Sequence, residues 1–547
     1  MLRQYTLFIF ALMSIAAFAD IKPRFMPGTP IEVQKAKMSK YLAAEKNKPA
    51  STANGIGSQQ KAPLKSLGSP KIPVVLVQFA DLKFVSACSD DIDNPDSVRY
   101  YFDKHFNGTP YDTLYRGTGN WGSVRDYYRD QSNGMFTPDF VMMGPITLDE
   151  DYAYYGADHS GERDYNIGAY YRELTIKAQE WASEHGISWS QFDNNGDGSV
   201  DVLYDVFAGC GQNGDGDDNT IWPKNSYGPY TVNGIKYQDY VSSNELYNGK
   251  CEGIGVICHE FSHSLGLPDF YDTYYEAYGL DYWDIMDSGC YCNNGYRPCG
   301  YSAYEKEFMG WLDLQTLTPD SAQTITVSPM TRTDGVGYKL VNPNTPNEYF
   351  IIENRQAEGW DTNIGRGLKR LGYISGLLIT HVHYVDRLWE LNAVNTDPSH
   401  QHITIVPADG SLDSYMLLES GNKELELSLF NSAAGDVYPG LQNVTSFAGN
   451  KQALFVQPGE YLNQPVTGIT QNADGTITFQ FCAAPQHIPG DANNDATVDV
   501  SDISAIAAYI LGGTTDTFDM IAADFDADGE ITVVDISQIA SYILGGN

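Results

Sequence analysis

Apolar positions in the first half of the chain predict alternating strands and helices. The run from Ile72 to Phe79 is almost entirely apolar and predicts a strand. Apolar and polar residues then alternate with helical spacing near residues 123–131 and over residues 166–184. Because strands and helices follow one another in this way up to residue 254, the pattern predicts an α/β fold for this half.

A further helix is predicted to begin at residue 254. Its apolar residues recur at i, i+3, i+4, i+7 and i+11, which buries one side of the helix: Ile254, Ile257, Cys258, Phe261 and Leu265. Gly266 ends the helix, because glycine readily adopts the left-handed conformation that turns a chain, and Pro268 prevents the helix from resuming. The backbone is therefore expected to turn back after Gly266.

Short alternating segments replace this pattern after Trp311. They lie at residues 324–327, 349–352, 377–380 and 403–406, separated by Gly, Pro, Asn and Asp turns. The pattern predicts a β-rich, sandwich-like domain over residues 316–486. His381 and His383 share one face of a predicted strand and could bind a metal, although two histidines on a strand are more often surface residues.

The C-terminal part contains an internal repeat with a period of 33 residues. Each copy is an acidic loop followed by a helix with apolar residues at i, i+3, i+4 and i+7. Oxygen-bearing residues occupy loop positions 1, 3, 5, 9 and 12, as in calcium-binding loops: Asp491, Asn493, Asp495, Asp499 and Asp502 in the first copy, and Asp524, Asp526, Asp528, Thr532 and Asp535 in the second. Residues 487–547 are thus predicted to be a small all-α domain that binds calcium.

Composition narrows the classes of partner. The chain has 547 residues, which is too long for one hydrophobic core and predicts several domains. It carries 34 Lys and Arg against 70 Asp and Glu, a formal charge of −36, which repels nucleic acid and anionic membrane surfaces. We therefore expect no nucleic-acid partner.

The first residues have the pattern of an export signal. Residues 1–19 combine Arg3, an apolar run from Leu7 to Ala17 and a small-residue cleavage pattern before Asp20, which predicts a signal peptide and a secreted or cell-surface protein. Residues 20–69 are rich in Lys, Pro and Ser and are expected to be a propeptide or linker. No later stretch reaches the ~20 apolar residues of a membrane span, so no transmembrane segment is expected.

The predicted helix at residue 254 carries the strongest chemical signal. His259 and His263 are four residues apart and therefore lie on one face of the helix, where both imidazoles can reach one zinc ion. Glu260 lies between them and points towards the open coordination position. The turn after Gly266 brings back a carboxylate as third ligand, with Asp269 preferred and Asp272 as the alternative.

These residues resemble the M6 family of secreted metallopeptidases, the immune inhibitor A type, whose zinc motif reads H-E-x-x-H-x-x-G-x-x-D. The resemblance includes Met286 within 283–287, where the family has its methionine turn, and extends over roughly residues 70–450. The sequence departs at Lys224, where the family pattern leads us to expect a histidine. The resemblance implies an α/β zincin, metzincin-like catalytic domain at residues 70–315.

Together, the motif and the resemblance predict a secreted zinc endopeptidase acting on extracellular proteins or peptides. His259, His263 and Asp269 are expected to hold zinc, Glu260 to act as general base, and Tyr291 to stabilise the oxyanion. An edge strand of the sheet is expected to bind the substrate in extended form. The alternative is a non-catalytic adhesion or scaffold protein with a structural metal.

Two further features are expected to stabilise the fold. The loop from residue 193 has a glycine at position 6 and possible calcium ligands at Asp193, Asn195, Asp197 and Asp201, but it could also be a plain Asn/Asp/Gly turn. Eight cysteines in an exported chain favour disulfides, and a cross-link among Cys290, Cys292 and Cys299 could brace the cleft. A second zinc site is the alternative for these three cysteines.

The paired loop-helix units at the C-terminus, each with an acid at position 12, resemble a dockerin. Dockerins are calcium-dependent modules that dock onto cohesin domains, so the resemblance implies a cohesin-like partner. A self-contained cap stabilised by calcium is the alternative for this domain.

Overall fold

The computed structural model describes most of the chain from residue 62 onwards. The described residues are 62–85, 91, 93–108, 120–159, 163–215, 217–273, 277–318, 322–342, 346–366, 374–412, 431–447, 466–481, 489–495, 497–513, 517–526 and 528–544. The chain divides into two compact units, residues 1–481 and residues 482–547. The predicted signal peptide, residues 1–19, lies outside the described residues.

The first unit is built on a mostly parallel sheet. Its described strands are β1 (Lys71–Gln78), β2 (Asp139–Thr147), β3 (Ser199–Val200), β4 (Leu203–Cys210), β5 (Lys224–Val232), β6 (Ile235–Tyr247) and β7 (Lys250–Cys251). The strand order is β2-β1-β4-β6-β3, with parallel neighbours, and β5 and β7 pair antiparallel to β6. The strand predicted at residues 72–79 is therefore confirmed as β1.

The helices of this unit pack on both faces of the sheet. They are α1 (Pro95–Asn107), α2 (Val124–Gln131), α3 (Tyr152–Gly156), α4 (Ile167–Glu184), α5 (Gln212–Asp215), α6 (Gly255–Ser264) and α7 (Ala303–Phe308). Shorter 3-10 turns occupy Trp189–Phe192, Asp281–Trp283, Ser288–Gly295 and Gly359–Arg366. The helices predicted near residues 123–131, 166–184 and 254–265 are confirmed as α2, α4 and α6.

Strand β1 shows why its sequence is continuously apolar. Val74 and Leu76 enter the core that contains residues of α1, α2 and α6, whereas Val75 and Val77 enter the core on the other face, with α4. A parallel strand covered on both faces has no solvent side, so period-two alternation is lost. Helix α6, predicted to begin at residue 254, belongs to the first of these cores.

The region after residue 315 is rich in strands, as predicted. It contains β8 (Gln315–Thr316), β9 (Gln323–Val327), β10 (Tyr338–Val341), β11 (Glu348–Arg355), β12 (Gly376–His383), β13 (Ile403–Ile405), β14 (Val466–Gln471) and β15 (Ile477–Phe481), together with helix α8 (Asp386–Glu390). One sheet has the order β13-β12-β11-β10-β8 and a second the order β14-β15-β9. Ile351, Leu378 and Ile403 share an apolar core with α6. The predicted boundary between the domains at residues 70–315 and 316–486 thus lies inside the first compact unit, and the division into these two domains stays a prediction.

The C-terminal unit contains α9 (Val500–Ile510), α10 (Met520–Ala523) and α11 (Val533–Ile543). Asp499 and Thr532 cap α9 and α11 through reciprocal capping boxes with Asp502 and Asp535. The buried residues of its core are few and mostly small: Ala492, Ala505, Ile506, Ala523 and Ile539. Both predicted helices of the repeat are confirmed.

The first described residues lie within the segment predicted to be a propeptide or linker. Leu64 is buried in the core around α6, and its amide donates to the carbonyl of Ser264 at 3.3 Å. The Ser66 hydroxyl donates to Met309 O at 2.7 Å. Packing against the α/β core therefore begins before residue 70. Among the described residues, no helix has the length and apolar character needed to cross a membrane.

Candidate metal centre

Burial and hydrogen bonds hold helix α6 in the core independently of any metal. All ten of its residues are buried. The Tyr128 hydroxyl from α2 donates to the carbonyl of Cys258 at 2.7 Å and lies 3.0 Å from the hydroxyl of Ser262. At the other end, the Ser264 hydroxyl donates to Asp239 Oδ2 on β6 at 2.6 Å. These bonds and the surrounding apolar core fix the direction of the two histidines.

Three predicted ligands converge on one point. Oδ1 of Asp269 lies 3.1 Å from Nε2 of His259 and 3.2 Å from Nε2 of His263. Ligands at ~2.0–2.1 Å from a tetrahedral zinc ion lie roughly 3.3–3.4 Å apart, so this spacing matches a shared cation. Within the described part of the chain, neither His259 Nε2 nor Asp269 Oδ1 has a hydrogen-bond partner, although both atoms are buried. A cation between them would satisfy both atoms, so the residues fit zinc.

Backbone carbonyls orient both imidazole rings. Nδ1 of His259 lies 2.7 Å from the carbonyl oxygen of Ile285, and Nδ1 of His263 lies 2.8 Å from that of Leu267. A carbonyl oxygen can only accept, so each Nδ1 carries the hydrogen and each Nε2 keeps a lone pair. This is the usual second interaction of a metal-binding histidine, and it leaves both Nε2 atoms available as ligands.

A residue that sequence reasoning missed holds Asp269. The Asn392 side chain donates to Oδ2 of Asp269 at 2.5 Å and accepts from the Asp269 amide at 2.6 Å. Gly266, at φ +102°, provides the predicted turn after the helix. This arrangement favours Asp269 over Asp272 as third ligand. No motif links Asn392 to the site, because it lies 123 residues further along the chain.

The charges at the centre favour a cation. Burial alone lowers the pKa of His259, but the carboxylates of Asp269 and Glu260 outweigh burial and raise this pKa to about 9. Burial also opposes ionisation of Asp269, yet His263 and His259 lower its pKa below the ordinary value. The surroundings therefore stabilise positive charge at the point where the three ligands meet.

Glu260, the predicted general base, lies beside the two histidines. Its side chain is 2% exposed, and it forms a cluster of possible donor atoms with His259 and His263. Burial raises the pKa of Glu260, while the two histidines lower it. The backbone amide of Asn225 on β5 also stabilises the ionised carboxylate. Glu260 thus lies beside the three proposed ligands, and it is not needed as a ligand itself.

Strand β5 is the edge of the sheet closest to the centre. Among the described strands it pairs with β6 alone, so its other edge is not covered by a strand. Asn225 fixes it to the helix by donating to Asp239 at 2.6 Å and to Ser264 at 3.0 Å. Lys224, which stands where a histidine was expected, pairs with the buried carboxylate of Asp164. The predicted edge strand is therefore present, beside Glu260.

The methionine segment lies directly against the ligands. Met286 is fully buried, and its carbonyl accepts from the amide of Phe270 at 2.9 Å, one residue after Asp269. The preceding carbonyl, that of Ile285, is the one that orients His259. The structure thus joins residues 285–286 by hydrogen bonds to His259 and to the residue after Asp269, and the methionine turn stays a prediction.

Buried Arg355 anchors this segment from the β-rich region. Its guanidinium donates to Trp283 O at 3.0 Å and to Gly300 O at 3.2 Å, on either side of the methionine segment. It also forms two bonds with Asp361, at 2.8 and 2.9 Å. A paired, fully bonded guanidinium can remain charged inside a protein. The strands after residue 315 therefore contribute to the stability of the site.

The cysteines differ from the prediction. Cys290, Cys292 and Cys299 are free thiols and all three are buried, so the expected cross-link is wrong. They do not form a metal cluster among the described residues either. Cys251 is in a disulfide. Apolar packing rather than a covalent bond therefore braces the segment after Met286, because buried thiols behave as small apolar groups.

Tyr291 stays a prediction as the oxyanion donor. It lies in the 3-10 turn Ser288–Gly295, and its ring centroid is 5.7 Å from that of Tyr247. Burial, and then the nearby Cys290, raise its pKa well above the ordinary value for tyrosine. The phenol is therefore neutral and can donate a hydrogen bond.

Two of the three predicted calcium loops bring their carboxylates close together. Asp193, Asp197 and Asp201 bring one oxygen each within 4.8 Å, as do Asp524, Asp526 and Asp528. Burial raises the pKa of Asp201 to about 6, and the neighbouring acids Asp197 and Asp193 contribute. A divalent cation would relieve this repulsion.

The position-12 acids of the C-terminal repeat close their loops through backbone amides. Asp502 accepts from Asn493 N at 3.0 Å, and Asp535 accepts from Phe525 N at 2.8 Å. Asp491 accepts from Asp495 N, and Asp524 from Asp528 N, each at 3.0 Å. Asn195, Asp499 and Thr532 also lie within their respective loops.

The paired strand histidines also require a correction. Nε2 of His381 lies 2.8 Å from Oε1 of Glu348, whereas His383 clusters with His400 and His402. The two histidines of the strand thus have different partners, and His383 belongs to a group of three histidines of which the strand pattern showed only one.

Comparison with known sequences agrees with this geometry. The family described as immune inhibitor A peptidase M6, catalytic domain, matches residues 60–312, and the type I dockerin domain matches residues 489–544. Immune inhibitor A of Bacillus thuringiensis subsp. alesti is 29% identical over 297 residues, which cover 46% of this chain and 41% of that protein. Pre-pro-metalloprotease PrtV of Vibrio cholerae serotype O1 is 26% identical over 314 residues, which cover 50% of this chain and 33% of that protein.

The matched parts span less than half the length of these relatives. The family match at residues 60–312 includes the whole of the candidate ligand cluster, His259, His263 and Asp269. The chain therefore combines a catalytic domain of the immune inhibitor A, or M6, peptidase family with a C-terminal type I dockerin domain.

Proposed function

We propose that this protein is a secreted zinc endopeptidase that cleaves extracellular proteins or peptides. The observation that carries the proposal is the convergence of His259, His263 and Asp269 within 3.1–3.2 Å beside the buried Glu260. The peptidase family of the domain supports the same reading.

The donor set favours zinc over the other common metals. Two imidazole nitrogens and one carboxylate oxygen suit zinc, whereas calcium and magnesium prefer oxygen ligands alone. Three protein ligands leave one of four tetrahedral positions to water or substrate, as in catalytic zinc sites. When bound there, zinc would polarise the scissile carbonyl and lower the pKa of the attacking water.

The residues of the chain account for the remaining steps. Glu260 accepts a proton from the attacking water and passes it to the leaving amine, for which its burial-raised pKa is suited. The open edge of β5 aligns the substrate in extended form next to Glu260. Asn392 holds Asp269 in place through two hydrogen bonds. Tyr291 is proposed to donate to the developing oxyanion.

The rival reading is a non-catalytic adhesion or scaffold protein with a structural metal. Structural zinc sites fill all four positions with protein atoms, usually Cys or His. Among the described residues, the fourth group at this cluster is Glu260, a carboxylate in the position of a general base. This geometry favours catalysis over a structural role.

We also propose that the C-terminal domain is a calcium-dependent docking module for a cohesin-like partner. Its repeat presents large apolar side chains to solvent at matching positions. Val500 and Val533 are 65% and 66% exposed, and Leu511 and Leu544 are both 86% exposed. Exposed apolar side chains in such a small unit indicate a binding surface. They favour docking over the alternative of a self-contained cap.

Glu260→Gln tests the peptidase proposal. The variant should keep zinc and the fold while peptide hydrolysis falls by ~10²–10⁴-fold, because the general base is lost but the ligands remain. Hydrolysis of a protein substrate and the zinc content of the same samples are the measurements. Near-normal turnover with zinc retained would show that Glu260 is not the base.

A further inference from the structure

A second cluster of histidines lies between β12 and β13. His383 ends β12, while His400 and His402 immediately precede β13. One ring nitrogen of each histidine lies within 4.8 Å of the others. Nδ1 of His383 and Nε2 of His400 are 3.0 Å apart. This cluster uses none of the residues of the candidate zinc centre.

The ring of His402 is oriented in the same way as those of the candidate zinc ligands. Its Nδ1 lies 2.8 Å from the carbonyl oxygen of His383. Since that oxygen can only accept, Nδ1 carries the hydrogen and Nε2 keeps its lone pair. A backbone carbonyl that fixes the tautomer is the usual second interaction of a metal-binding histidine.

We propose that His383, His400 and His402 bind a divalent transition metal ion, with zinc as the expected occupant. Three imidazoles suit zinc, copper and nickel better than calcium or magnesium. The 3.0 Å between Nδ1 of His383 and Nε2 of His400 is near the roughly 3.3–3.4 Å between ligands of a tetrahedral zinc ion. His381 is not a ligand, because its ring is paired with Glu348 at 2.8 Å.

The ion would hold together the two ends of a segment that supports the candidate zinc centre. Residues 384–399 lie between the ligands and contain Asn392, which holds Asp269. The same segment contains Asn395, whose side chain donates to Phe270 O at 2.6 Å and accepts from the amides of His402 and Ile403. A metal that fixes both ends of this segment restricts its motion and thereby stabilises the position of Asn392.

Metal content of the full chain tests this site separately from the peptidase proposal. The Glu260→Gln protein, which avoids self-cleavage, is equilibrated with excess zinc chloride and calcium chloride, and its bound zinc is counted by mass spectrometry of the metal. Adding His400→Ala should remove one zinc ion per chain, because a ligand is lost. Adding His381→Gln, two residues from His383 on the same strand, should remove none.

Adding His263→Ala to the same Glu260→Gln protein separates the two centres. It should remove one zinc ion and leave the histidine cluster loaded. Cobalt chloride added to this His263→Ala protein should then give the visible absorption of tetrahedral cobalt with nitrogen ligands, without any change to the cluster itself.

Two results would overturn the second site. One is an unchanged zinc content in the His400→Ala protein when that protein retains its melting temperature. The other is the absence of tetrahedral cobalt absorption in the His263→Ala protein. Either result would leave a hydrogen-bonded histidine cluster, and neither would affect the candidate zinc centre.

Discussion

The candidate zinc centre and the C-terminal acidic loops are two different kinds of proposed metal site in one chain. At the centre the proposed ligands His259 and Asp269 are 0% and 1% exposed, and the apolar core around α6 is shared by five helices and two sheets. In the second C-terminal loop, Asp526 and Asp528 are exposed, and the core beneath has only a few small residues. The first site is built by the fold, whereas the second repels itself until a cation binds.

This difference predicts opposite responses to metal removal. The buried centre depends on interactions that persist without the ion, such as the carbonyls that orient His259 and His263. The acidic loops also have backbone hydrogen bonds to their carboxylates, but they gather several negative charges within one turn, and a small core contributes little to their stability. We therefore expect chelation to abolish activity at the centre while leaving its fold, and to unfold the C-terminal unit.

Loss of the third ligand should have the largest effect. Asp269→Ala removes the carboxylate that lies against both histidines, so zinc should be lost on dialysis and hydrolysis should fall by at least ~10³-fold. Asp272→Ala is the matched control and should keep zinc. Metal content after dialysis decides between the two, and the reverse outcome would move the third ligand to Asp272.

Breaking the buried ion pair between Arg355 and Asp361 should have the second-largest effect. Arg355→Met leaves Asp361 buried without its partner and should lower the free energy of unfolding by ~3–5 kcal/mol. Arg332→Met is the control, because its pair with Glu358 is about one-third exposed and should contribute only ~0–1 kcal/mol. Chemical denaturation of both variants measures the contrast; equal losses would contradict the role given to Arg355.

Calcium should fold the C-terminal unit. An isolated fragment of residues 489–547 should be largely disordered in chelator and gain helix with calcium, since its short helices have too little core to persist alone. Excess calcium at ~1,000 times Kd would contribute about 4 kcal/mol. Circular dichroism with and without calcium is the measurement, and magnesium is the control. Full helicity in chelator would remove the contrast between the two regions.

The smallest effect concerns Asn392. Asn392→Ala removes two hydrogen bonds to Asp269 but leaves all three ligands, so zinc affinity should fall by ~10–100-fold. Asn395→Ala, in the same segment, touches only backbone groups near the centre and should weaken zinc less. Competition with a zinc-binding dye would give both affinities. Equal affinities in the two variants would mean that Asn392 acts only by supporting the segment.

The sequence predicted what local spacing can encode. Two histidines one helical turn apart, a glycine that ends the helix and acids at alternate loop positions are local patterns, and the structure has the elements that they predict. The sequence predicted the strands after residue 315, but it placed them in a separate domain. In the structure they belong to the same compact unit as α6, because Ile351 and Leu378 are buried in the core around that helix, and such tertiary packing is not visible in local sequence patterns.

The interactions that the sequence could not predict join residues that are far apart in the chain. Asn392 meets Asp269 across 123 residues, and Arg355 reaches Trp283 across 72. The expected cross-link among Cys290, Cys292 and Cys299 failed for a related reason, since clustering in sequence gives no information on whether the thiols face one another or the core.

Reconstitution with zinc tests the central claim most directly. Zinc is removed from the purified full chain by a chelator while calcium is held constant, and hydrolysis of a protein substrate is followed as zinc is added back. Activity should vanish with the metal and return with zinc, but not with calcium, and it should not return in Asp269→Ala. Hydrolysis that persists after zinc is removed, or that returns equally in Asp269→Ala, would contradict the assignment of His259, His263 and Asp269 as the catalytic metal site.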